Sequence, residues 1–287
     1  MNKISVVLMV YNRNEYYREA LDSLKAQSDK DFELVIVTNI EIDYDLSAFK
    51  EVGIIQAPGN LLEAYITGME ATKNEIVAFL DDDDRYASYK ISHLKNEDIE
   101  GYYHNDYYDF GSKEAHSNGK GFNASCIAIN KSAYNGIMEL ARQHPSINYM
   151  PDSMIYWYAI EHNIPVVIDN GKLTYYRHKP YQKMYANLAD TLNKQMAALE
   201  EASKAFTSQE VQEIIREGLI QNQLYLNSLG HYKKISLNEM MWLMRRPVIG
   251  KKGKIMSYFL SLPVWHGIGI ALINSIRNKK VVENDTE

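Results

Sequence analysis

Residues 76–84 read IVAFLDDDD, five apolar residues that stop abruptly at Asp81, Asp82, Asp83 and Asp84. A continuous apolar run of this kind is expected of a strand buried on both faces of a parallel sheet. In an open α/β sheet ligands bind beyond the carboxyl ends of the strands, so the four aspartates stand where a ligand is expected. Adjacent carboxylates repel one another, and a hard divalent cation relieves that repulsion. Magnesium or manganese, held by one or two carboxylates, keeps coordination positions open for diphosphate oxygens. A solvated acidic turn is the plainer reading of an acidic run, and the buried strand directly ahead of it weighs against that reading.

The same pattern extends outward. Ile4 to Val10 (ISVVLMV), Phe32 to Val37 (FELVIV) and Gly53 to Gln56 are further apolar runs. Between them, Asn12 with Glu15 three residues on has the spacing of a capping box, followed by Tyr17, Ala20, Leu21 and Leu24 at helical intervals. After the turn Pro58-Gly59-Asn60, Leu61, Ala64, Tyr65 and Met69 mark a second amphipathic helix. Strands alternating with helices predict an α/β domain with a mostly parallel sheet and helices on both faces. Residues 101–121 loosen into a Tyr-rich stretch, read as a strand and an irregular connection. A strand at Ser125 to Ile129, helices at Ser132 to Gln143 and Asp152 to His162, and strands at Pro165 to Ile168 and Leu173 to Arg177 follow. Beyond Pro180 only helices are expected, from Asn187 to Phe206 and from Ser208 to Leu229. The chain therefore divides into a domain of residues 1–180, an α-helical C-terminal extension at 181–244 and a basic, apolar tail at 245–287.

Composition bounds the function. The 287 residues are 46% hydrophobic with seven prolines, which excludes a disordered or collagen-like chain. A single cysteine, Cys126, excludes a disulfide framework and any zinc site built on cysteine pairs, and it fits a reducing compartment. No secretory signal is expected at the N-terminus. The formal net charge of −6 argues against a nucleic-acid partner. That charge is a sum of unlike parts: residues 1–180 carry 17 Lys+Arg against 27 Asp+Glu, and residues 181–287 carry 14 against 10. Ile255 to Ile276 has no formally charged residue, with basic residues on both sides. The run is long enough to span a bilayer, but Pro263, Gly267, Gly269 and the two basic flanks fit better a helix lying in the surface of an anionic membrane. A helix buried against the domain is the alternative. Neither GxxxxGK[ST] nor a GxGxxG turn after the first strand is present, which removes support from P-loop and dinucleotide-binding classes.

The segments SVVLMVYNRNEYYREALDSLKAQSDKDFELVIV and GNLLEAYITGMEATKNEIVAFLDDDD resemble the nucleotide-binding half of family 2 glycosyltransferases of the GT-A (Rossmann-like) fold, and the resemblance extends to about residue 180. It implies inverting transfer of a sugar from a nucleotide-diphosphate donor to an acceptor hydroxyl. It implies that Val10, Tyr11 and Asn12 meet the nucleotide, that Asp81, with Asp82 beside it, lies near the ribose, and that Asp83 holds Mn2+ or Mg2+, with Asp84 a neighbour. The family usually places an acidic pair after the second strand, where this chain has Thr38-Asn39. Asn39 could hydrogen-bond a base with a different donor and acceptor pattern, and Asp43 or Asp45 could substitute from the following loop. Basic and Asn residues common in the helix before the acidic turn are replaced by Glu63, Tyr65 and Thr67.

Asp152 is the second carboxylate candidate. An aspartate opening a helix is a good N-cap for structural reasons alone. The family carries an acidic pair there whose Asp is the general base, and Pro151 replaces its first member. By that resemblance Asp152 is the catalytic base, because an acceptor hydroxyl is a poor nucleophile until its proton is removed. Arg177-His178 ends the last strand, where related sequences carry similar pairs; His178 could reach the metal or diphosphate, and Arg177 could neutralise phosphate. His104, Asn105 and Asp106 form a polar cluster beside the donor sugar site or an ordinary loop. Tyr102, Tyr103, Tyr107 and Tyr108 could stack on sugars or pack a core. The expected partners are a nucleotide-sugar donor, a glycan or lipid-linked acceptor and an anionic membrane surface, with the protein cytoplasmic and peripheral on the inner face of the cell membrane. A nucleotide-sugar-binding protein without catalysis and a metal-dependent nucleotidyl or phosphoryl transferase are the alternatives.

Overall fold

The computed structural model describes residues 2–57, 59–116, 123–177 and 188–228, with scattered residues of 231–242. His178 and the whole of the 245–287 tail lie outside the described residues. Two compact units are present, one of residues 1–180 with 204–211, the other of 181–203 with 212–287.

The first unit is built on a nine-stranded sheet. All seven residues of β1 (Ile4–Val10) are buried, as a continuous apolar run requires. It pairs in parallel with β2 (Glu33–Thr38) on one side and β4 (Ile76–Asp81) on the other, and β3 (Glu51–Gln56) continues the parallel set outside β2. Next to β4 the direction changes. After the two-residue β5 (Arg85–Tyr86), β6 (Tyr102–Asp109) and the short β7 (Ala115–His116), the strand β8 (Ile127–Asn130) inserts antiparallel between β4 and β6, and β9 (Val166–Tyr176) runs parallel to β6. The order is β3-β2-β1-β4-β8-β6-β9-β5, with β7 on β6. Two reversals across β8 restore the direction of β4 in β6 and β9. The carboxyl ends of β1, β2, β4, β6 and β9 therefore share one edge, and that edge carries the site.

Helices cover both faces. On one, Ala20, Leu21 and Leu24 of α1 (Tyr17–Lys25) and Ile91 and Leu94 of α3 (Lys90–Leu94) join Ile4, Val6, Leu8 and Val10 in a single core. Burial of such side chains contributes roughly 1.5–3 kcal/mol each. On the other face lies α2 (Leu61–Ala71), whose N-cap Asn60 accepts the Glu63 amide. A Cβ on Gly68 would stand 2.6 Å from Val7 Cγ1 and 2.7 Å from Val37 Cγ2, so only glycine lets α2 come this close to the sheet. α4 (Ile137–Gln143) and α5 (Pro151–Glu161) complete the unit. Residues 204–211 are tied to α5 by the Glu161 carboxylate, which accepts from the Thr207 and Ser208 amides, and by Phe206 edge-on to Trp157.

Several expectations are corrected. Asn12 does not cap α1: it has φ 60°, the helix begins at Tyr17, and Tyr16 precedes it without a side-chain cap. The strand expected from Ser125 opens as a 3-10 turn over Ala124–Cys126, and β8 starts only at Ile127. The helix expected from Ser132 is broken by Gly136 at φ 92°, leaving a 3-10 turn over Lys131–Tyr134 and then α4. The two strands expected between 165 and 177 are one strand, bent by register shifts opposite Asn105 and Asp106.

In the second unit, Leu199 of α6 (Leu188–Ala205) packs on α7 (Gln209–Ser228) at Gly218, where a Cβ would lie 3.1 Å from Leu199 Cδ1. Among the described residues no helix is long and apolar enough to cross a membrane. Gly68→Ala is expected to destabilise the first unit by about 1–3 kcal/mol in urea unfolding, through overpacking against two branched side chains; an unchanged midpoint would show that α2 shifts freely.

Candidate active site

The acidic turn is fixed from several sides. The Asp84 amide donates to the Asp81 carbonyl at 3.2 Å, closing the turn directly after β4. Asp81 donates its amide to Ser125 Oγ at 3.0 Å, and its carboxylate accepts from the Tyr65 hydroxyl of α2. Ser125 is braced in turn: its carbonyl accepts from Lys90 Nζ at 2.7 Å and from Thr174 Oγ1 at 2.9 Å. Lys90 is wholly buried, and burial pulls its pKa down to about 7. Next to Ser125, burial pushes the Cys126 thiol up to about 12, which leaves it an inert core residue.

The four carboxylates differ in environment. Asp81, Asp83 and Asp84 bring oxygens within 4.8 Å of one another, a donor set of hard oxygens suited to magnesium or manganese. Asp84 is 1% exposed, and burial first, then Asp81, raises its pKa well above the carboxylate range. Asp82 is equally buried; burial pushes it up to about 7 against the pull of Arg13, and its Oδ2 has no hydrogen-bond partner among the described residues. Carboxylates held this unfavourably are stabilised by added positive charge, so the residues fit a divalent cation.

The sequence singles out Arg177 among the fixed cations at the turn and gives no sign of Arg13 or Arg85. Arg13, from the loop after β1, pairs with Asp82 and, at 2.6 Å, with Asp83 Oδ2. Arg177 donates its amide to Asp84 Oδ1 at 2.8 Å and its Nε to the Asp83 carbonyl at 2.9 Å, so it locks the turn through directional bonds. Its terminal nitrogen goes to Glu19 Oε2 at 2.6 Å, where Arg85 also binds, and the Phe110 ring lies 3.8 Å from the Arg177 guanidinium and 4.2 Å from that of Arg85. These partners are 66 or more residues apart in the chain, and no local pattern announces them.

On the β1–β2 side, Val10 is fully buried and offers only its backbone to a ligand. Asn12 and Asn39 meet across the strand ends: the Asn12 amide donates to Asn39 Oδ1 at 2.8 Å, and Asn39 Nδ2 donates to Asn12 Oδ1 at 2.6 Å. This exchange explains the left-handed backbone of Asn12. The Tyr11 hydroxyl donates to the Gly59 carbonyl at 3.1 Å. Asp43 pairs with Arg18, and Asp45 accepts the Ser47 amide.

Asp152 is the second residue of α5, which begins at Pro151 with Met150 as a cap lacking a side-chain bond, so the N-cap alternative to a base does not describe it. Its Oδ1 accepts the Ser153 amide at 2.8 Å. Burial pushes its pKa up to about 7; Ser153 opposes this, and the charge of Asp81 adds to it. Burial first, then the charges of Asp84, Asp81, Asp83 and Asp152, raises the pKa of the Tyr176 hydroxyl. Tyr107 lies edge-on to Tyr176 at 5.3 Å and stacks on His116. Asp106 is 2% exposed and pairs with Lys172 Nζ at 2.7 Å inside the sheet. Tyr102 and Tyr103 are fully buried in the core.

Residues 5–126, from β1 through the acidic turn to the 3-10 turn that braces it, match the family model described as Glycosyl transferase family 2. This region belongs to glycosyltransferase family 2. Over 117 residues the glycosyltransferase region is 30% identical to the GalNAc(5)-diNAcBac-PP-undecaprenol beta-1,3-glucosyltransferase of Campylobacter jejuni, an alignment covering 36% of this chain and 37% of that one. The matched stretches span only 14–37% of the length of the curated relatives. The fold is that of GT-A glycosyltransferases. A mannosyltransferase from Pyrobaculum calidifontis, solved with GDP-Man and Mn2+, superposes with a TM-score of 0.55 at 12% identity, over 94% of this chain and 87% of that one. Staphylococcus aureus TarS 1-349, solved with UDP-GlcNAc, gives 0.52 at 13% identity, over 91% and 82%.

A carboxyl whose pKa is higher folded than unfolded supplies stability at low pH that is lost as pH rises. For Asp82 the window runs from about 4 to about 7. Without divalent cations, Asp82→Asn is expected to flatten the decline in unfolding free energy across that window relative to wild type. An unchanged difference between the two proteins from pH 4 to pH 7 would contradict the burial of its charge.

Proposed function

We propose that the protein is an inverting glycosyltransferase that moves a sugar from a nucleoside-diphosphate sugar to an acceptor hydroxyl. The observation that supports this reading is the turn after β4, where Asp81, Asp83 and Asp84 bring carboxylate oxygens within 4.8 Å of one another, with Asp152 a further carboxylate in the first turn of α5. The nucleotide would sit over the Val10 backbone, Tyr11, Asn12 and Asn39. Asp83, with Asp81 and Asp84, would hold a magnesium or manganese ion, which when bound supplies positive charge to the departing diphosphate. His178, which follows Arg177 directly in the chain, would approach that ion. Arg177 would keep the turn in shape and Asp106 would position the β6–β9 wall beside the sugar.

The reaction then needs one proton acceptor. Asp152 takes the proton of the acceptor hydroxyl as its oxygen attacks the anomeric carbon; the bond from that carbon to the diphosphate breaks on the opposite side, and the configuration inverts. A base with a pKa near 7 suits this step at neutral pH, since enough of it is ionised and the ionised form is still basic. Electrostatic stabilisation of the leaving group and proton removal together lower the barrier.

The acceptor in this reading is a lipid-linked or polymeric glycan at a membrane surface. Support comes from the basic, uncharged-cored tail and from the similarity to a relative named for an undecaprenol-linked substrate. On that basis residues 1–180 are the catalytic domain, 181–244 a helical extension and 245–287 the part that meets the inner face of the cell membrane. Thr38-Asn39 and Pro151, which stand where the family has acidic residues, favour a second reading in which the site binds nucleotide sugar without transfer.

Asp152→Asn is expected to lower kcat by about 100-fold or more while nucleotide binding is kept, with a nucleoside diphosphate as the wild-type product. Transfer at the wild-type rate by the variant would reject the base, and release of pyrophosphate would reject the reaction class.

A further inference from the structure

Arg13 occupies ground that a divalent cation would contest. Its two terminal nitrogens reach different residues, Asp82 and Asp83. Asp83 is also one of the three carboxylates whose oxygens converge within 4.8 Å. A cation drawing on Asp83 therefore meets a guanidinium already bound there. The other arginine at the turn cannot take over the charge balance: Arg177 bonds the turn by its backbone amide and Nε, and its terminal nitrogen is committed to Glu19.

The two aspartates hold Arg13 unequally. Asp82 is 2% exposed at its side chain and its charge is costly without a partner, whereas Asp83 is 12% exposed and stands on the open side. Arg13 itself is 35% exposed, so its guanidinium can turn. It follows Asn12 directly, the residue whose left-handed backbone and bond to Asn39 fix the loop at the nucleotide end of the site. A planar guanidinium has five donors and matches a phosphate as well as a carboxylate.

We infer that Arg13 is an exchangeable counter-ion: it neutralises Asp82 and Asp83 until a divalent cation and a nucleoside diphosphate bind, then keeps Asp82, releases Asp83 to the cation and turns its freed donors to the diphosphate. This rests on the reading of the site as one for nucleotide-diphosphate sugars. The exchange makes cation and nucleotide binding mutually favourable. The cation alone must displace Arg13 without compensation, and the nucleotide supplies the compensation, so each ligand raises affinity for the other by the same factor.

Isothermal titration of the full chain tests it, with Mn2+ alone and with UDP and GDP in turn at saturating Mn2+. Wild type is compared with Arg13→Ala and with Arg13→Gln, which keeps a polar amide on a shorter side chain without the charge. Both variants are expected to bind Mn2+ alone about tenfold more tightly and the nucleotide that wild type prefers about tenfold more weakly. Mn2+ affinity that is unchanged or weaker in both variants would overturn the exchange while nucleotide binding by wild type still stood. Tighter Mn2+ binding with unaltered nucleotide affinity would overturn the turn toward diphosphate. Wild type that binds Mn2+ but neither nucleotide would overturn the nucleotide reading, and this inference with it.

Discussion

Four consecutive carboxylates at the end of a buried strand are the constraint that organises this protein. Two of them, Asp82 and Asp84, are 1% exposed, and charge in such places is tolerated only beside positive charge or directed hydrogen bonds. Much of the surrounding structure answers that demand. Arg13 brings charge from the loop after β1, Arg177 brings donors from the end of β9, Tyr65 reaches from α2, and the 3-10 turn at Ser125 holds the Asp81 backbone. Each comes from a different element, so the turn keeps its shape only when the sheet is fully assembled.

That assembly also explains the shape of the sheet. A purely parallel set of β3, β2, β1 and β4 would end at the acidic turn with nothing beyond it. The antiparallel β8 allows β6 and β9 to extend the sheet with their carboxyl ends at the same edge. Tyr176 and Arg177 thereby arrive beside the aspartates from more than 90 residues away. The Asn12–Asn39 pair at the ends of β1 and β2 and the aromatic pair Tyr107 and Tyr176 then flank one charged centre. Lys90, buried beneath, ties Ser125 to Thr174 and so couples the brace to β9.

The fold was legible where a single local pattern decides it. ISVVLMV, FELVIV and IVAFL are strands because burial on both faces demands unbroken apolar runs, and α2 follows from its periodicity and its Asn60 cap. Readings failed where local rules competed. Asn12 and Glu15 have capping-box spacing, yet Asn12 bonds Asn39, a partner 27 positions on that offers more than the next turn of chain does. Gly136 interrupts a periodicity that alone would give one long helix. The acidic turn and Asp152 stood out because carboxylates after a buried strand or at a helix start are visible locally. Arg13, Glu19, Arg85 and Lys90 look like ordinary charged residues on solvated helices and loops, and only the folded chain brings their partners to them.

The central claim is that the acidic turn accepts a diphosphate through a divalent cation. Thermal unfolding with a panel of nucleoside diphosphates and nucleotide sugars, with Mn2+ and with EDTA, tests it most directly, because a ligand that binds only the native state raises the melting temperature. The account predicts that one nucleotide raises it with Mn2+, that EDTA abolishes the rise, and that Asp83→Ala loses it. A nucleotide-induced rise that survives both EDTA and Asp83→Ala, or no rise with any nucleotide, would contradict it.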